Sequence, residues 1–532
     1  MPSRPDIVVV LADDMGFSDI GCYGGEVHTP NLDRLAANGT RLSQFYVTPR
    51  CSPSRASLMT GLHPHQTGIG ILTFDDGPDG YPGNLNDRCV TIPELLGQAG
   101  YGTYMSGKWH MAADMSAPND AWPTRRGFQR FFGTLEGGGS FWQPHTLMDG
   151  EERLDQDELP ADFYYTDAIS DRAVRYVEEH QESRPDDPMF MYVTYTAPHW
   201  PLHAPDETIA RYKGVFDDGW DALREQRMRR LVDFGVIDPQ WPMSDRDPVV
   251  GPWHDADEHE WEAHRMAVFA AQIDHIDQGV GRVIDALEAA GRLDNTLIVF
   301  LSDNGACAEN VEEWVPRFLA LNDTTRDGQP VVSGNHPDVF PGPDSTYASY
   351  GRAWANLSDT PFREYKHWVH EGGIASPFVV HWPAGLPGRG AVRRQTHQLT
   401  DVMATVLDIT GVDYPTEFAD RSVLPAEGES MLSTLRGEGN GPSDRMLFWE
   451  HEGNAAVRRG RWKLVRKYPK SWELYDMDAD RTELNDLSAK HPKVARELTA
   501  EYEQWAARCG VLPREQVLDL YRRSGNGLPE YY

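Results

Sequence analysis

Apolar residues fall along this chain in short continuous runs, divided by long polar stretches rich in glycine and proline. Ile7-Val8-Val9-Val10-Leu11 is such a run. Its β-branched, unalternating character predicts a strand buried on both faces in a parallel sheet. Thr296 to Leu301 repeats the pattern, and Leu42 to Val47, Tyr101 to Ser106, Pro188 to Thr194 and a segment after Ile374 read as further strands. Between them the period lengthens to that of helices. Asn31 to Asn38 is closed by Gly39, and Thr91 to Gly100 carries Thr91 as N-cap with Glu94 in the capping-box position. Thr166 to His180, Trp261 to Ala290 (with breaks) and Thr400 to Thr410 are the longer helical stretches. Alternating strands and helices predict an α/β fold with a large, mostly parallel sheet sandwiched by helices. After Pro442 the pattern changes. Met446–Trp449, Ala455–Arg458, Trp462–Arg466 and Trp472–Tyr475 read as a small antiparallel sheet, followed by a helix over Pro492 to Ala507. The expected division is a domain over 1–440 and a smaller α+β one over 441–532. Residues 111–161 read as long loops, and 206–262 as an inserted helical region with no assigned duty.

Composition narrows the class. The 532 residues are 40% hydrophobic, which suits a globular protein, and 82 acidic against 50 basic residues give a net charge of −32. Such acidity excludes nucleic acid and anionic membrane as natural partners. Five cysteines, at 22, 51, 89, 307 and 509, are too scattered for a disulfide framework. No run reaches the roughly 18 apolar residues of a membrane span. Ile7 to Ala12 is too short for a signal segment and meets Asp13-Asp14 at once, so the expectation is a cytoplasmic protein.

The chemistry collects where strands end. Asp13-Asp14 follows the first buried run, and Ser302-Asp303-Asn304-Gly305 follows the Thr296 run. In α/β folds that carboxyl edge of the sheet is where sites form. Acids in such loops are often merely solvated, but four oxygen donors at one edge suit Ca²⁺ or Mg²⁺ and not zinc. Gly107-Lys108-Trp109-His110 follows the Tyr101 strand, and an extended backbone would turn Lys108 and His110 to one side. His199 lies in a proline-fixed segment, Ala197-Pro198-His199-Trp200-Pro201, after another buried strand. Cys51-Ser52-Pro53-Ser54-Arg55 opens a helix that Gly61 stops. Cys51 thus meets free backbone N–H groups, and Arg55 shares its face one turn on. A cysteine there is commonly a buried small residue, or else a thiol of lowered pKa.

Taken whole, Cys-x-Pro-x-Arg resembles the signature of the type I, formylglycine-dependent sulfatases of the alkaline-phosphatase-like superfamily. Leu-Ala-Asp-Asp-Met-Gly (11–16), Gly-Lys-Trp-His (107–110), Ala-Pro-His-Trp-Pro-Leu (197–202), Ser-Asp-Asn-Gly (302–305) and Glu-Gly-Gly (371–373) resemble the family's other motifs in the family's order. The chain looks like a bacterial arylsulfatase over nearly its whole length. That resemblance implies an alkaline-phosphatase-like sheet and hydrolysis of small-molecule sulfate monoesters, most naturally aryl sulfates. It implies that Cys51 becomes formylglycine through a formylglycine-generating enzyme. It also implies that Asp13, Asp14, Asp303 and Asn304, with residue 51, bind Ca²⁺, or less readily Mg²⁺. Arg55 would hold the aldehyde hydrate in nucleophilic form. Lys108, His199 and Lys366 (five residues before Glu371) would grip the sulfate, and His110 would bond the modified residue. Two other readings stand beside it: a phosphonate monoester or phosphodiester hydrolase of the same superfamily, and a sulfate-binding protein whose Cys51 stays a thiol. Trp109, Trp142, Trp200 and Trp368, near site motifs, could favour an aromatic leaving group.

Overall fold

The computed structural model describes residues 4–311, 322–438 and 444–524. Ten strands form the main sheet: β1 (Asp6–Ala12), β2 (Thr40–Leu42), β3 (Gly102–Gly107), β4 (Arg130–Thr134), β5 (Leu147–Asp149), β6 (Glu152–Arg153), β7 (Met189–Thr194), β8 (Thr296–Ser302), β9 (Phe378–His381) and β10 (Ala391–Arg393). Their order is β10-β2-β9-β8-β1-β7-β3-β4-β5-β6. The five central strands, β8-β1-β7-β3-β4, are parallel. β9 joins one side of this block antiparallel, and β5 and β6 extend the other as an antiparallel hairpin.

All seven residues of β1 are buried, as its pattern requires. Val8 and Val10 face a layer built on the helices Tyr165–Ser183 and His259–Ala289. Ile7, Val9 and Leu11 face the opposite layer, with Leu58 and Met59 of the helix Cys51–Thr60 and Val402 and Val406 of Thr400–Thr410. Each such side chain, fully buried, contributes about 1.5–3 kcal/mol. Strand periodicity thus sets both core layers, and the expected sandwich is present.

Several elements differ from the sequence expectation. The 111–161 stretch is not all loop: Arg130–Thr134 joins the parallel block, paired to β3. Its run of Phe131-Phe132 is too short, and too enclosed by glycines, to signal a strand alone. Leu42 to Val47 is two strands, because Phe45–Tyr46 leaves the main sheet for a three-stranded one with Ala375–Ser376 and His397–Gln398. The helix His259–Ala289 runs unbroken, and within 206–262 lies a helix over Gly219–Asp233. Thr91 and Glu94 form the expected capping box.

Past residue 444 the strands Met446–His451, Asn454–Arg459, Trp462–Arg466 and Glu473–Asp476 form an antiparallel meander. The helix Pro492–Cys509 covers it through Leu498, Tyr502 and Trp505. A further helix, Arg514–Ser524, follows. The division expected near 440 lies outside the described residues. Leu447, Trp449, Ala456 and Val465 of the small sheet share the core layer that holds Val8 and Val10, and a buried charged cluster adds to that tie. Glu371 accepts hydrogen bonds from Lys463 Nζ at 2.8 Å, Arg481 Nε at 2.9 Å and the Tyr46 hydroxyl at 2.8 Å. Glu371, Lys463, Arg481 and Tyr46 are all fully buried. All five cysteines are free and buried. Among the described residues, no helix is long and apolar enough to cross a membrane.

Candidate active site

The order β8-β1-β7-β3 lines up four strand exits at one edge. Asp303 and Asn304 follow β8, and Asp13 and Asp14 follow β1. The His199 segment follows β7, and Lys108 and His110 follow β3. Neighbouring side chains of a strand point to opposite faces, so adjacent Asp13 and Asp14 need a backbone device to serve one site. Asp14 adopts a left-handed φ of 63°, and His110 one of 52°. Such values are rare for non-glycine residues and tend to mark functional sites. The expected extended run through Lys108-Trp109-His110 is therefore corrected: β3 ends at Gly107, and His110 reaches the site by a left-handed turn.

All ten candidate residues meet there, and all are buried. Arg55 grips Asp303 Oδ2 through Nε at 3.1 Å and Nη2 at 2.8 Å, and its Nη2 lies 3.5 Å from Asp13 Oδ2. Its Nη1 donates to the Lys108 carbonyl at 3.0 Å and to the Thr194 hydroxyl. Lys108 Nζ pairs with Asp13 Oδ2. Lys366 Nζ pairs with Asp14 at 2.8 Å, and Asn304 Nδ2 donates to Asp14 Oδ1 at 2.7 Å. Cys51 Sγ opens its helix 3.4 Å from His110 Nδ1. His199 Nδ1 donates to the Trp200 carbonyl at 2.6 Å, which leaves Nε2 facing Asp14 Oδ2 at 3.4 Å.

Burial sets the protonation states. It raises the Cys51 thiol, against the pull of Lys108 and Lys366, so Cys51 is not a thiolate of lowered pKa. Burial, with Lys108 and Arg55 alongside, drives His110 far down, and that imidazole is neutral. His199 is also drawn down by burial, with Asp14 opposing. Burial and the neighbouring charge of Asp13 push Asp303 up to about 7. Asp13 goes the other way: burial opposes ionisation, but Lys108, His199 and Arg55 outweigh it and hold the carboxyl well below its usual range.

The oxygen donors suit a hard cation. Asp13 Oδ1 and Asn304 Oδ1 are buried without a hydrogen-bond partner, a state that costs about 1–3 kcal/mol per group unless something meets it. Asp13, Asp14 and His199 each offer an atom within 4.8 Å of the others. A divalent ion bound by carboxylate and amide oxygens would meet the two unpartnered oxygens, and the second grouping places the His199 nitrogen beside them.

Some participants carried no signal in the sequence. Thr194 is an ordinary strand residue until Arg55 reaches it. Glu309 holds Arg50 Nη1 at 2.7 Å and Trp200 Nε1 at 3.2 Å beside the site. Gly137 and Gly138 lie over the two histidines: a Cβ at 137 would stand 2.3 Å from His110 Nε2, and one at 138 would stand 3.1 Å from His199 Cε1. The run Gly137-Gly138-Gly139 stands out in the sequence, but the rings it lies against do not. Of the four tryptophans, Trp200 lies beside His199, with ring centroids 4.7 Å apart and planes tilted by 42°. Trp109 is fully buried with its indole N–H on the Ala121 carbonyl, so it packs the core.

Comparison with known proteins places this edge among relatives. The Sulfatase family model matches residues 5–412, and the model for the C-terminal part of N-sulphoglucosamine sulphohydrolase matches 363–508. An uncharacterised sulfatase of Schizosaccharomyces pombe is 32% identical over 96% of this chain and 94% of its own. An arylsulfatase of Klebsiella aerogenes is 34% identical over 80% of this chain and 91% of its own. In fold, the chain superposes on the crystal structure of Ps i-CgsB in complex with k-i-k-neocarrahexaose with a TM-score of 0.69. That likeness covers 99% of each chain at 24% identity.

Proposed function

This chain belongs to the sulfatase family, within the alkaline-phosphatase-like superfamily, and on that premise we propose that it hydrolyses small sulfate monoesters, aryl sulfates first, to a phenol or alcohol and inorganic sulfate. The observation that carries the reading is the buried meeting of Lys108, Lys366 and Arg55 with Cys51 at a helix N-terminus. Three cations beside one nucleophile position supply the positive charge that a tetrahedral anion there would need.

Asp13, Asp14, Asp303 and Asn304 would hold one Ca²⁺ together with the side chain at 51, and Mg²⁺ is the smaller alternative. When present, the cation supplies charge that offsets the sulfate oxygens, and formylglycine made from Cys51 supplies a hydrated aldehyde as nucleophile. The remaining work falls to the chain's own side chains. Lys108 and Lys366 are ammonium groups on carboxylate partners, from which they can turn to sulfate oxygens. Arg55 is locked on Asp303 and the Lys108 carbonyl, so it fixes the helix carrying residue 51 against the sheet edge. Neutral His110 can take a proton at Nδ1 from residue 51, 3.4 Å away. His199 commits its Nδ1 proton to Trp200, so it can donate to a leaving oxygen only after Nε2 is protonated, a state that Asp14 favours. Gly137 and Gly138 lie close against both rings, where a Cβ would crowd them. Cytoplasmic residence and maturation by a formylglycine-generating enzyme belong to the same proposal.

The test is a rate panel of aryl, alkyl and carbohydrate sulfates and a phosphonate ester, on protein co-expressed with a formylglycine-generating enzyme, with mass spectrometry of the residue-51 peptide. Aryl sulfates should turn over fastest, and activity should track the aldehyde fraction. Full activity with thiol alone at 51, or a faster phosphonate than any sulfate, would refute the proposal.

A further inference from the structure

The turn between the first two strands of the small sheet carries a group of side chains that the catalytic edge does not use. His451 and Glu452 lie at this turn. His367 joins them from the loop that also carries Lys366. All three are buried, at 3% exposure for His367, 1% for His451 and 4% for Glu452. Each offers one nitrogen or oxygen within 4.8 Å of the others. His367 Nδ1 stands 3.8 Å from Glu452 Oε2, and His451 Nε2 stands 4.0 Å from Glu452 Oε1. The two imidazole planes cross at 83° with centroids 5.1 Å apart.

His451 makes this more than a polar cluster. Both its ring nitrogens are buried, and neither has a hydrogen-bond partner. A buried polar atom left unmet costs about 1–3 kcal/mol, and native structures almost always meet it. The surroundings hold the group ready for a ligand. Glu452 is fixed by Arg514 Nη1 at 3.2 Å on one oxygen and by the Tyr521 hydroxyl on the other. Asn454 Nδ2 donates to the His451 carbonyl at 3.2 Å and also stands 3.3 Å from His367 Nε2, while His367 Nδ1 faces the carboxylate, so ligation at Nδ1 requires the tautomer with its proton on Nε2. Burial lowers both imidazoles, His367 to about 4 and His451 to about 3, so each is neutral. Glu452 and His367 keep left-handed backbones, at φ 51° and 90°.

We propose that His367, His451 and Glu452 bind a divalent transition ion of the zinc class, with a water completing the fourth position, and that this ion pins the Lys366 loop to the C-terminal sheet. Two imidazoles and one carboxylate are a zinc donor set, with bond lengths near 2.0–2.2 Å. His367 Nδ1 faces one carboxylate oxygen and His451 Nε2 the other, so the three groups close on one ion by a rotation of the carboxylate or of an imidazole. Arg514 balances the charge of Glu452, so the cluster offers little to Ca²⁺, which wants several anionic oxygens, and more to an ion that favours nitrogen. The site is thus separate in kind from the oxygen-lined edge.

The experiment uses the full chain, expressed with added Zn²⁺ and dialysed into excess Ca²⁺ to keep the oxygen site filled. Elemental analysis should find about one zinc per chain. Replacement by Co²⁺ should give the visible absorption of a four-coordinate N/O site. His451→Gln should lose both signals, and Asp303→Asn should keep them. Wild-type chain with neither zinc nor a Co²⁺ band would overturn the proposal and assign a water molecule to His451. Zinc that persists in folded His451→Gln, or that vanishes in Asp303→Asn, would overturn it too. If His451→Gln does not fold, the wild-type stoichiometry and the Asp303→Asn result still decide.

Discussion

Glu371→Gln tests the idea that the acid of the Glu-Gly-Gly motif is a structural clamp and not a member of the reacting set. The side chain accepts hydrogen bonds from Lys463, Arg481 and Tyr46, none of them a residue of the catalytic edge. Burial opposes its ionisation, but Lys463, Arg481 and Arg458 outweigh that and draw its pKa from 4.5 to about 2. At about 1.4 kcal/mol per tenfold, this preference for the charged form is worth about 3 kcal/mol. An independent figure agrees: removing one partner of a buried ion pair costs about 3–5 kcal/mol. The amide is nearly isosteric, so packing changes little. Urea unfolding at neutral pH should therefore show the variant less stable by about 3 kcal/mol with an unchanged denaturant slope. The sign of the pH dependence follows from the lowered folded value. The stabilisation is complete above the unfolded carboxyl's 4.5 and is lost as pH falls through about 2. The gap between wild type and variant should thus shrink by about 2 kcal/mol on going from pH 7 to pH 3. Turnover per folded molecule should stay within about threefold, since the clamp touches no reacting atom. A variant as stable as wild type, a gap that does not close in acid, or a folded but dead enzyme would each refute the reasoning.

Three other outcomes bear on the site. Gly137→Ala should push the His110 ring off its position and lower kcat about tenfold or more with little change in Tm, because general acid–base groups carry about 10² to 10⁴ in rate; unchanged kcat would mean that the ring has room to yield. Lys108→Met and Lys366→Met should slow aryl and alkyl sulfates by similar factors, since every substrate carries the sulfate, and a loss confined to one class would refute sulfate binding. His199→Ala should lose about 10² to 10⁴ on alkyl sulfates and clearly less on nitrophenyl sulfate, steepening the plot of log(kcat/KM) against leaving-group pKa; an unchanged slope would limit His199 to holding sulfate.

The elements that the sequence could specify are those whose information is local. β1 and β8 are read from unbroken β-branched runs, because burial on both faces leaves no polar position. The meander after 444 is read from its turn residues, and the helix Cys51–Thr60 from Pro53 and Gly61. Nine of the ten candidate residues were legible because they follow a strand or lie in the helix Cys51–Thr60, and the sheet order then gathers them; Lys366, in the loop before Glu371, came from the resemblance alone. What escaped depends on contacts distant in sequence. Arg130–Thr134 is a strand because β3 lies beside it. Thr194 matters because Arg55 reaches across from another element, and Gly137 because His110 turns left-handed beneath it. Glu371 was visible only as a spacing marker for Lys366, since its cationic partners lie 92 and 110 positions further on and Tyr46 lies 325 positions back.

Cys51 is only 2% exposed, at the foot of a fully buried helix. On the proposed chemistry, that burial makes maturation a race. An oxidising enzyme can reach the thiol only before the helix docks, so each chain has one window, between synthesis and folding. A molecule that folds first is sealed in its thiol form and is not rescued by later encounters. Specific activity would then record how fast the chain was made relative to its modifier. Strong overexpression should yield a permanent mixture of live and inert molecules of identical fold, and slower synthesis should raise the live fraction without changing the sequence.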